Sequence, residues 1–131
     1  MFAKRLKNKK GQSIVEFALV LPLLLLLLAG IVDFGRIMNA YLVTNYASRE
    51  GVRQAALGQT DSVITDTVKR VAGNLDPTIL QIQITPSKSS RVRGTETTVR
   101  VTYQIDEITP AIGVFIPDPY VINTSTSMRV E

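Results

Sequence analysis

The longest apolar stretch of the chain runs from Ile14 to Val32 and includes one charged residue, Glu16. A helix of that length rises about 1.5 Å per residue and roughly matches the ~30 Å hydrocarbon core of a bilayer. The pattern therefore predicts a transmembrane helix over residues 12–33. Pro22 predicts a kink in this helix, although a proline that the membrane helix merely tolerates is an equally good interpretation.

Glu16 needs either a partner or an interfacial position, because an ionised carboxylate inside a membrane helix carries an insertion penalty. In one interpretation the side chain lies close to the lipid headgroups, where the helix dipole also favours a negative charge. In the other it pairs with a cation, and the pairing serves assembly. The apolar span alone leaves both interpretations open.

The helical pattern continues beyond the span, since no proline occurs between Pro22 and Pro77. It predicts an extended helix over residues 34–58, ended by Gly58 as a C-terminal glycine. One stripe at helical spacing is expected to pack in the core: Phe34, Met38, Tyr41, Asn45, Ser48, Val52 and Ala55.

Small residues recur at every fourth position of this helix, at Ala47, Gly51 and Ala55. Such spacing allows another helix or a sheet to approach closely. We interpret both patterns as core packing in preference to a dedicated partner-binding face.

Residues 59–131 predict a small extracytoplasmic α+β domain. A second helix is expected from about Ser62 to Ala72, and beyond Pro77 the hydrophobic period changes to two, which is typical of strands. The expected strands cover residues 80–85, 97–105 and 122–130. The fold class is therefore α+β and pilin-like: one N-terminal transmembrane helix that continues into a long extracytoplasmic helix, a short second helix and a three-stranded antiparallel sheet.

Two connections between these strands have distinct compositions. Residues 87–95 are polar and basic, which predicts an exposed hairpin connection. Residues 108–115 are mostly apolar and lie among prolines, which predicts a loop or short apolar helix packed against the sheet or the membrane surface.

The distribution of charge predicts the orientation of the span. Basic residues cluster before it, at Lys4, Arg5, Lys7, Lys9 and Lys10, while the remainder of this +4 chain is close to neutral. The positive-inside rule then predicts a single-pass protein of the cell membrane with a cytoplasmic N-terminus and an extracytoplasmic C-terminal domain. The high pI thus reflects topology, and no nucleic-acid partner is expected.

The composition argues against an enzyme. The chain has no histidine and no cysteine, which removes the commonest general base and the soft metal ligands. We expect no catalytic residue, no metal site and no cofactor. A modest basic patch, formed by Lys88, Arg91, Arg93 and Arg100, has little aromatic interleaving and is a poor nucleic-acid surface.

The N-terminal residues carry a family resemblance. A basic leader ending in Gly11, Glu16 as the fifth residue after it, and Phe17 opening the apolar helix together resemble a type IV prepilin site. More narrowly, the chain resembles the TadE-like pseudopilins of tight-adherence (Flp/Tad) pilus systems, in residues 11–24, 33–36, 47–55 and 125–131.

The resemblance implies maturation by a prepilin peptidase. The leader, residues 1–11, would be removed by a cut between Gly11 and Gln12, leaving a cationic α-amino group on Gln12. Glu16 would pair with that group on its own or a neighbouring subunit, and Glu16 with Phe17 would form the assembly and recognition site. The implied partners are the bilayer, the peptidase, other pilin-like subunits and the pilus assembly machinery, so the protein is expected to be pilus-associated.

Two other functions compete with this one. An uncleaved signal-anchored adaptor would tether a small extracytoplasmic binding domain to the membrane. A secreted binding module, cut after Gly35 or Ala40, would lose the membrane helix, but those sites have Asp33 or Met38 where a signal peptidase requires a small residue. The mature N-terminus distinguishes the three.

Overall fold

The structure, a computed structural model, describes residues 9–106, 109–117 and 119–131. The predictions for residues 1–8 of the leader and for Ile108 lie outside this part of the chain. The elements are α1 (Lys9–Ala56), α2 (Asp61–Val71), β1 (Gln81–Thr85), β2 (Glu96–Ile105), α3 (Pro110–Gly113) and β3 (Tyr120–Arg129). The strands form one antiparallel sheet in the order β1-β2-β3. The predicted α+β fold class is confirmed.

α1 is one uninterrupted helix of 48 residues that continues through Pro22. It ends in a Schellman arrangement: the Gln59 amide donates to the Gln54 carbonyl at 3.2 Å, and the Gly58 amide donates to the Ala55 carbonyl at 3.0 Å. Gly58 has a φ of +75°, a left-handed conformation that favours glycine. The glycine stop predicted from the sequence is thus present, and α2 starts directly afterwards.

The C-terminal half of α1 packs against both α2 and the sheet. Ala47 and Ala55 are fully buried. A Cβ atom added to Gly51 would lie 2.6 Å from Val68 Cγ2 of α2 and 3.2 Å from Val99 Cγ1 of β2. The prediction that these small residues allow close approach is confirmed, and both a helix and a sheet make that approach.

The predicted core stripe on α1 is wrong in its N-terminal half. Phe34, Met38 and Tyr41 are exposed. Their stripe advances about 3.5 residues per turn, whereas an α-helix has about 3.6, so the stripe drifts by roughly 20° per heptad and enters the core only near Ser48. The buried face consists of Asp33, Ala40, Thr44, Ala47, Ser48, Gly51, Val52, Ala55 and Ala56.

Hydrogen bonds join the C-terminal half of α1 to β3 and to the residue at the end of the chain. The Thr124 hydroxyl donates to the Thr44 carbonyl at 3.2 Å, and the Ser48 hydroxyl lies 2.8 Å from the Thr126 hydroxyl. At the end of the helix, the amide of the C-terminal residue donates to the Ala56 carbonyl at 3.0 Å. The sheet is therefore held against one face of α1, and the opposite face is left uncovered.

The prediction that residues 87–95 form an exposed connection is wrong for Arg91, which is buried. Its Nη1 donates to the Pro86 carbonyl at 3.1 Å, and its Nη2 donates to the Gln59 carbonyl at 3.0 Å. Nη2 also forms an ion pair with Asp61 Oδ1 at 2.5 Å. Arg91 therefore joins the β1–β2 connection to the α1–α2 turn, and it does not belong to a surface basic patch.

Candidate processing and assembly site

The N-terminal half of α1 is exposed on all sides. Every residue from 9 to 28 is solvent-exposed, and the most apolar stretch of the helix has no buried residue. The helix is long and apolar enough to cross a membrane. Apolar surface of this size is unfavourable in water, so a bilayer or another apolar partner is needed to cover it.

The Gly11–Gln12 bond lies in the first turns of α1. A Cβ atom added to Gly11 would have no atom within 4 Å. The fold therefore has no steric need for glycine at this position, and helix propensity disfavours it. A reason for this glycine has to come from outside the folded chain.

Glu16 lies one turn after Gln12 on the exposed surface of α1, and the structure brings the two side chains together. Gln12 Nε2 donates a hydrogen bond to Glu16 Oε1 at 2.9 Å. Across the described ranges, no lysine or arginine forms an ion pair with Glu16. The carboxylate therefore has a neutral donor from its own helix, and its second oxygen is free to accept from a further donor.

Phe17 and Pro22 are also exposed on α1. Phe17 directly follows Glu16, so the two side chains project about 100° apart around the helix. α1 continues on both sides of Pro22, and the kink stays a prediction. Of the sequence-predicted site residues, Gln12 and Glu16 are joined by a side-chain hydrogen bond.

A second exposed surface on α1 was missed because the sequence placed part of it in the core. Beyond the span, large side chains continue the exposed apolar surface of the helix, and we call this set the outer stripe: Phe34, Met38, Tyr41, Leu42 and Tyr46. The positions of the small residues Ala47, Gly51 and Ala55 could have predicted this surface. They mark the buried face of α1, and the outer stripe lies on another side of the helix.

Asp33, at the end of the apolar span, makes a contact that the sequence did not predict. It is buried, and its Oδ2 accepts a hydrogen bond from the Thr109 amide at 2.7 Å. Arg36 Nη1 lies 3.6 Å from its Oδ1. Asp33 therefore connects the C-terminal end of the apolar span to the segment that contains α3.

The described residues contain no group of three acidic side chains that could hold a metal ion. An open groove of about 420 Å³ lies between α1, the segment after α2 and β2, with Arg36, Asp76 and Tyr103 among its lining residues. The Asp76 carboxylate accepts from the amide and the hydroxyl of Thr78 at 2.9 and 2.7 Å, which identifies it as a turn-forming residue. The absence of enzymatic activity stays a prediction.

One long helix that could span a membrane, packed by its second half on an antiparallel sheet, defines the class: an α+β protein with a candidate N-terminal anchor. The sequence profile of the TadE-like protein family matches residues 11–53. Over these residues the chain is similar to TadE-like proteins, as the resemblance predicts. No curated protein and no solved structure matches the chain. The matched region covers the Gly11 to Phe17 motif, the span and most of α1.

Proposed function

We propose that this protein is a membrane-anchored minor pilin or pseudopilin that acts in assembly of a tight-adherence pilus. The observation that carries the proposal is the surface of α1. Its apolar N-terminal half is exposed on all sides, and Glu16 is the one charged residue between Ile14 and Val32. A surface of this kind suits a helix that first lies in lipid and then packs against other helices.

The proposed maturation step is a cut between Gly11 and Gln12 by a prepilin peptidase. The bond lies in helical backbone, so the start of α1 must unwind to enter a protease cleft. Two features support this opening: helix ends fray readily, and glycine is a weak helix former. Because the folded chain does not need glycine at position 11, recognition by the peptidase supplies a reason for it.

Cleavage would place a cationic α-amino group one turn from Glu16. In the uncleaved chain the side chain of Gln12 already contacts Glu16, so the two residues have a suitable spacing. In a bilayer both charges are costly unless they are paired. Pairing between neighbouring subunits would therefore favour assembly and set the register of one helix against the next.

The outer stripe supports the same mechanism beyond the membrane. Its aromatic and apolar side chains extend the exposed surface of the span along α1, so neighbouring helices could pack together well past the bilayer. We place the N-terminus in the cytoplasm and residues 34–131 outside, because the basic residues precede the span.

The uncleaved adaptor is the competing function. The helical conformation at Gly11–Gln12 favours the adaptor, because a peptide bond in a helix resists proteolysis until the helix unwinds. An adaptor needs α1 only as a tether, so it predicts that Glu16 has no role in association.

Glu16 variants test the proposal. Glu16→Gln keeps the size of the side chain but cannot neutralise an amine, and Glu16→Leu removes the polar group altogether. We expect both variants to insert in the membrane and to be cleaved after Gly11, and both to lose partner association and pilus production. The chain has no cysteine, so a cysteine placed at Leu19 or Leu23 reports association by crosslinking within the membrane.

Ser13→Ala is the matched control. It removes a polar group in the same helical turn, a hydroxyl that donates to the Lys9 carbonyl at 3.0 Å, without changing charge. It should crosslink and produce pili like the wild type. Wild-type levels of both in Glu16→Leu would refute the register role and favour the adaptor.

A further inference from the structure

Among the described residues of the domain, the segment from Thr109 to Pro117 carries the most exposed large apolar side chains. Phe115 is 86% exposed and Val114 is 78% exposed, compared with 74% for Leu19 inside the candidate membrane span. The segment contains no charged residue. Two adjacent large apolar side chains exposed to this degree are unfavourable in water, so something apolar is expected to cover them.

Two contacts hold this segment at the outer end of the span. The Thr109 amide donates to buried Asp33, the residue that follows the apolar stretch. The Ile112 side chain is so close to α1 that a Cβ atom added to Gly30 would lie 3.1 Å from Ile112 Cδ1. α3 is therefore fixed against the last turn of the span, one turn or less from the position where the helix leaves the lipid.

The backbone keeps the exposed tip near that level. The Phe115 and Ile116 amides donate to the Ile112 carbonyl at 2.8 and 3.0 Å, so the chain turns back within a few residues of its contact with Gly30. Val114 and Phe115 thus lie in the zone that the headgroups and the upper acyl chains occupy when α1 spans a bilayer. Aromatic and aliphatic side chains are favoured in this zone.

We propose that Val114 and Phe115 insert into the leaflet at the C-terminal end of the span and form a second membrane contact beside α1. The occupant of this surface is lipid, because the surface is continuous with the apolar span and the segment from Thr109 to Pro117 carries no charged side chain. A single helix leaves the domain free to rotate about the helix axis, and a second contact restricts that rotation. The insertion would fix which side of the sheet and of the outer stripe faces along the membrane.

A single tryptophan tests this directly, because the chain has none. Phe115→Trp in the full chain, with one copy per lipid nanodisc, should be quenched by phospholipids brominated on their acyl chains. Bromine close to the headgroup should quench more strongly than bromine near the methyl end. Val114→Trp is a second probe of the same tip and should respond in the same way.

Two matched controls bracket the result. Val92→Trp replaces an exposed apolar residue on the β1–β2 connection, away from the span, and should respond to aqueous iodide but not to brominated lipid. Leu23→Trp lies inside the span and should be quenched most by deep bromine. The proposal is overturned if tryptophan at 115 and 114 behaves like tryptophan at 92. Two further results would identify a protein occupant and also overturn the proposal. In the first, tryptophan at 115 is protected from iodide but is not quenched by brominated lipid. In the second, it is protected from iodide only at two or more copies per disc.

The outcome is independent of the pilin function. Glu16→Leu and an uncleaved Gly11 variant should show the same quenching, since neither changes the contact between α3 and the span.

Discussion

At Gly51, α1 lies close to both of its packing partners, α2 and the sheet. Replacement by alanine would improve helix propensity by about 1 kcal/mol. The added methyl group would, however, lie 2.6 Å from a methyl carbon of Val68 and 3.2 Å from one of Val99. Overpacking a tight core costs about 1–3 kcal/mol. Because the contact with Val68 is so short, we expect this cost to exceed the gain in helix propensity, so the substitution destabilises the domain.

We therefore expect Gly51→Ala to lower the free energy of unfolding of the domain by up to about 2 kcal/mol. Gly35→Ala is the matched control on the same helix, because an added Cβ atom there has no atom within 4 Å; it should be neutral or stabilise by up to about 1 kcal/mol. Denaturant unfolding of the full chain in detergent, followed by circular dichroism, measures both. Equal effects of the two substitutions would contradict the packing described.

Arg91 is a second residue whose contacts hold distant parts of the chain together. Its guanidinium is buried against two carbonyls and Asp61. Arg91→Leu would remove three polar contacts and leave two backbone carbonyls without this donor. Since Asp61 is half-exposed and can be solvated, we expect a loss of about 2–3 kcal/mol in the free energy of unfolding, near the lower end for a disrupted buried pair.

Arg93→Leu serves as its control, because Arg93 belongs to the same connection but is exposed. Its effect should stay within about 0.5 kcal/mol. Chemical unfolding of both variants under identical conditions compares them. A loss of stability in Arg93→Leu as large as that in Arg91→Leu would show that the connection, and not the buried guanidinium, determines the effect.

At the scale of elements, the hydrophobic period was sufficient to predict the two longer helices and all three strands. Alternation placed the strands within two residues of their observed ends, because more buried and more exposed side chains alternate along much of each strand. The period did not predict which face of α1 is buried. A stripe that repeats every 3.5 residues drifts around a helix of 3.6 residues per turn, so over several turns it leaves the buried face.

Side chains that act over long sequence separations could not be predicted in this way. The contact between Arg91 and Gln59, and the hydrogen bond between Thr109 and Asp33, join positions far apart in the chain. No local pattern encodes such pairs. For the candidate site the reverse holds: Gly11, Gln12 and Glu16 lie within two helical turns, so the sequence alone was enough to propose them together.

At the scale of the whole molecule, α1 is one continuous helix whose two halves have different surroundings. Its N-terminal half is exposed, apolar and interrupted by a single carboxylate, and its C-terminal half is fastened to α2 and the sheet. One continuous helix therefore connects an exposed apolar surface to a packed domain. Under the proposed function, packing between the N-terminal halves of neighbouring helices would position their domains relative to one another.

The mature N-terminus tests this account most directly. The protein is isolated from membranes that contain an active prepilin peptidase, whose activity is verified on a second prepilin in the same cells, and its first residues are determined by intact mass and N-terminal sequencing. The account predicts a chain that begins at Gln12, and a chain that keeps Met1 through Gly11 when Gly11 is replaced by a bulky residue. A wild-type chain that still begins at Met1 beside the active peptidase would contradict it.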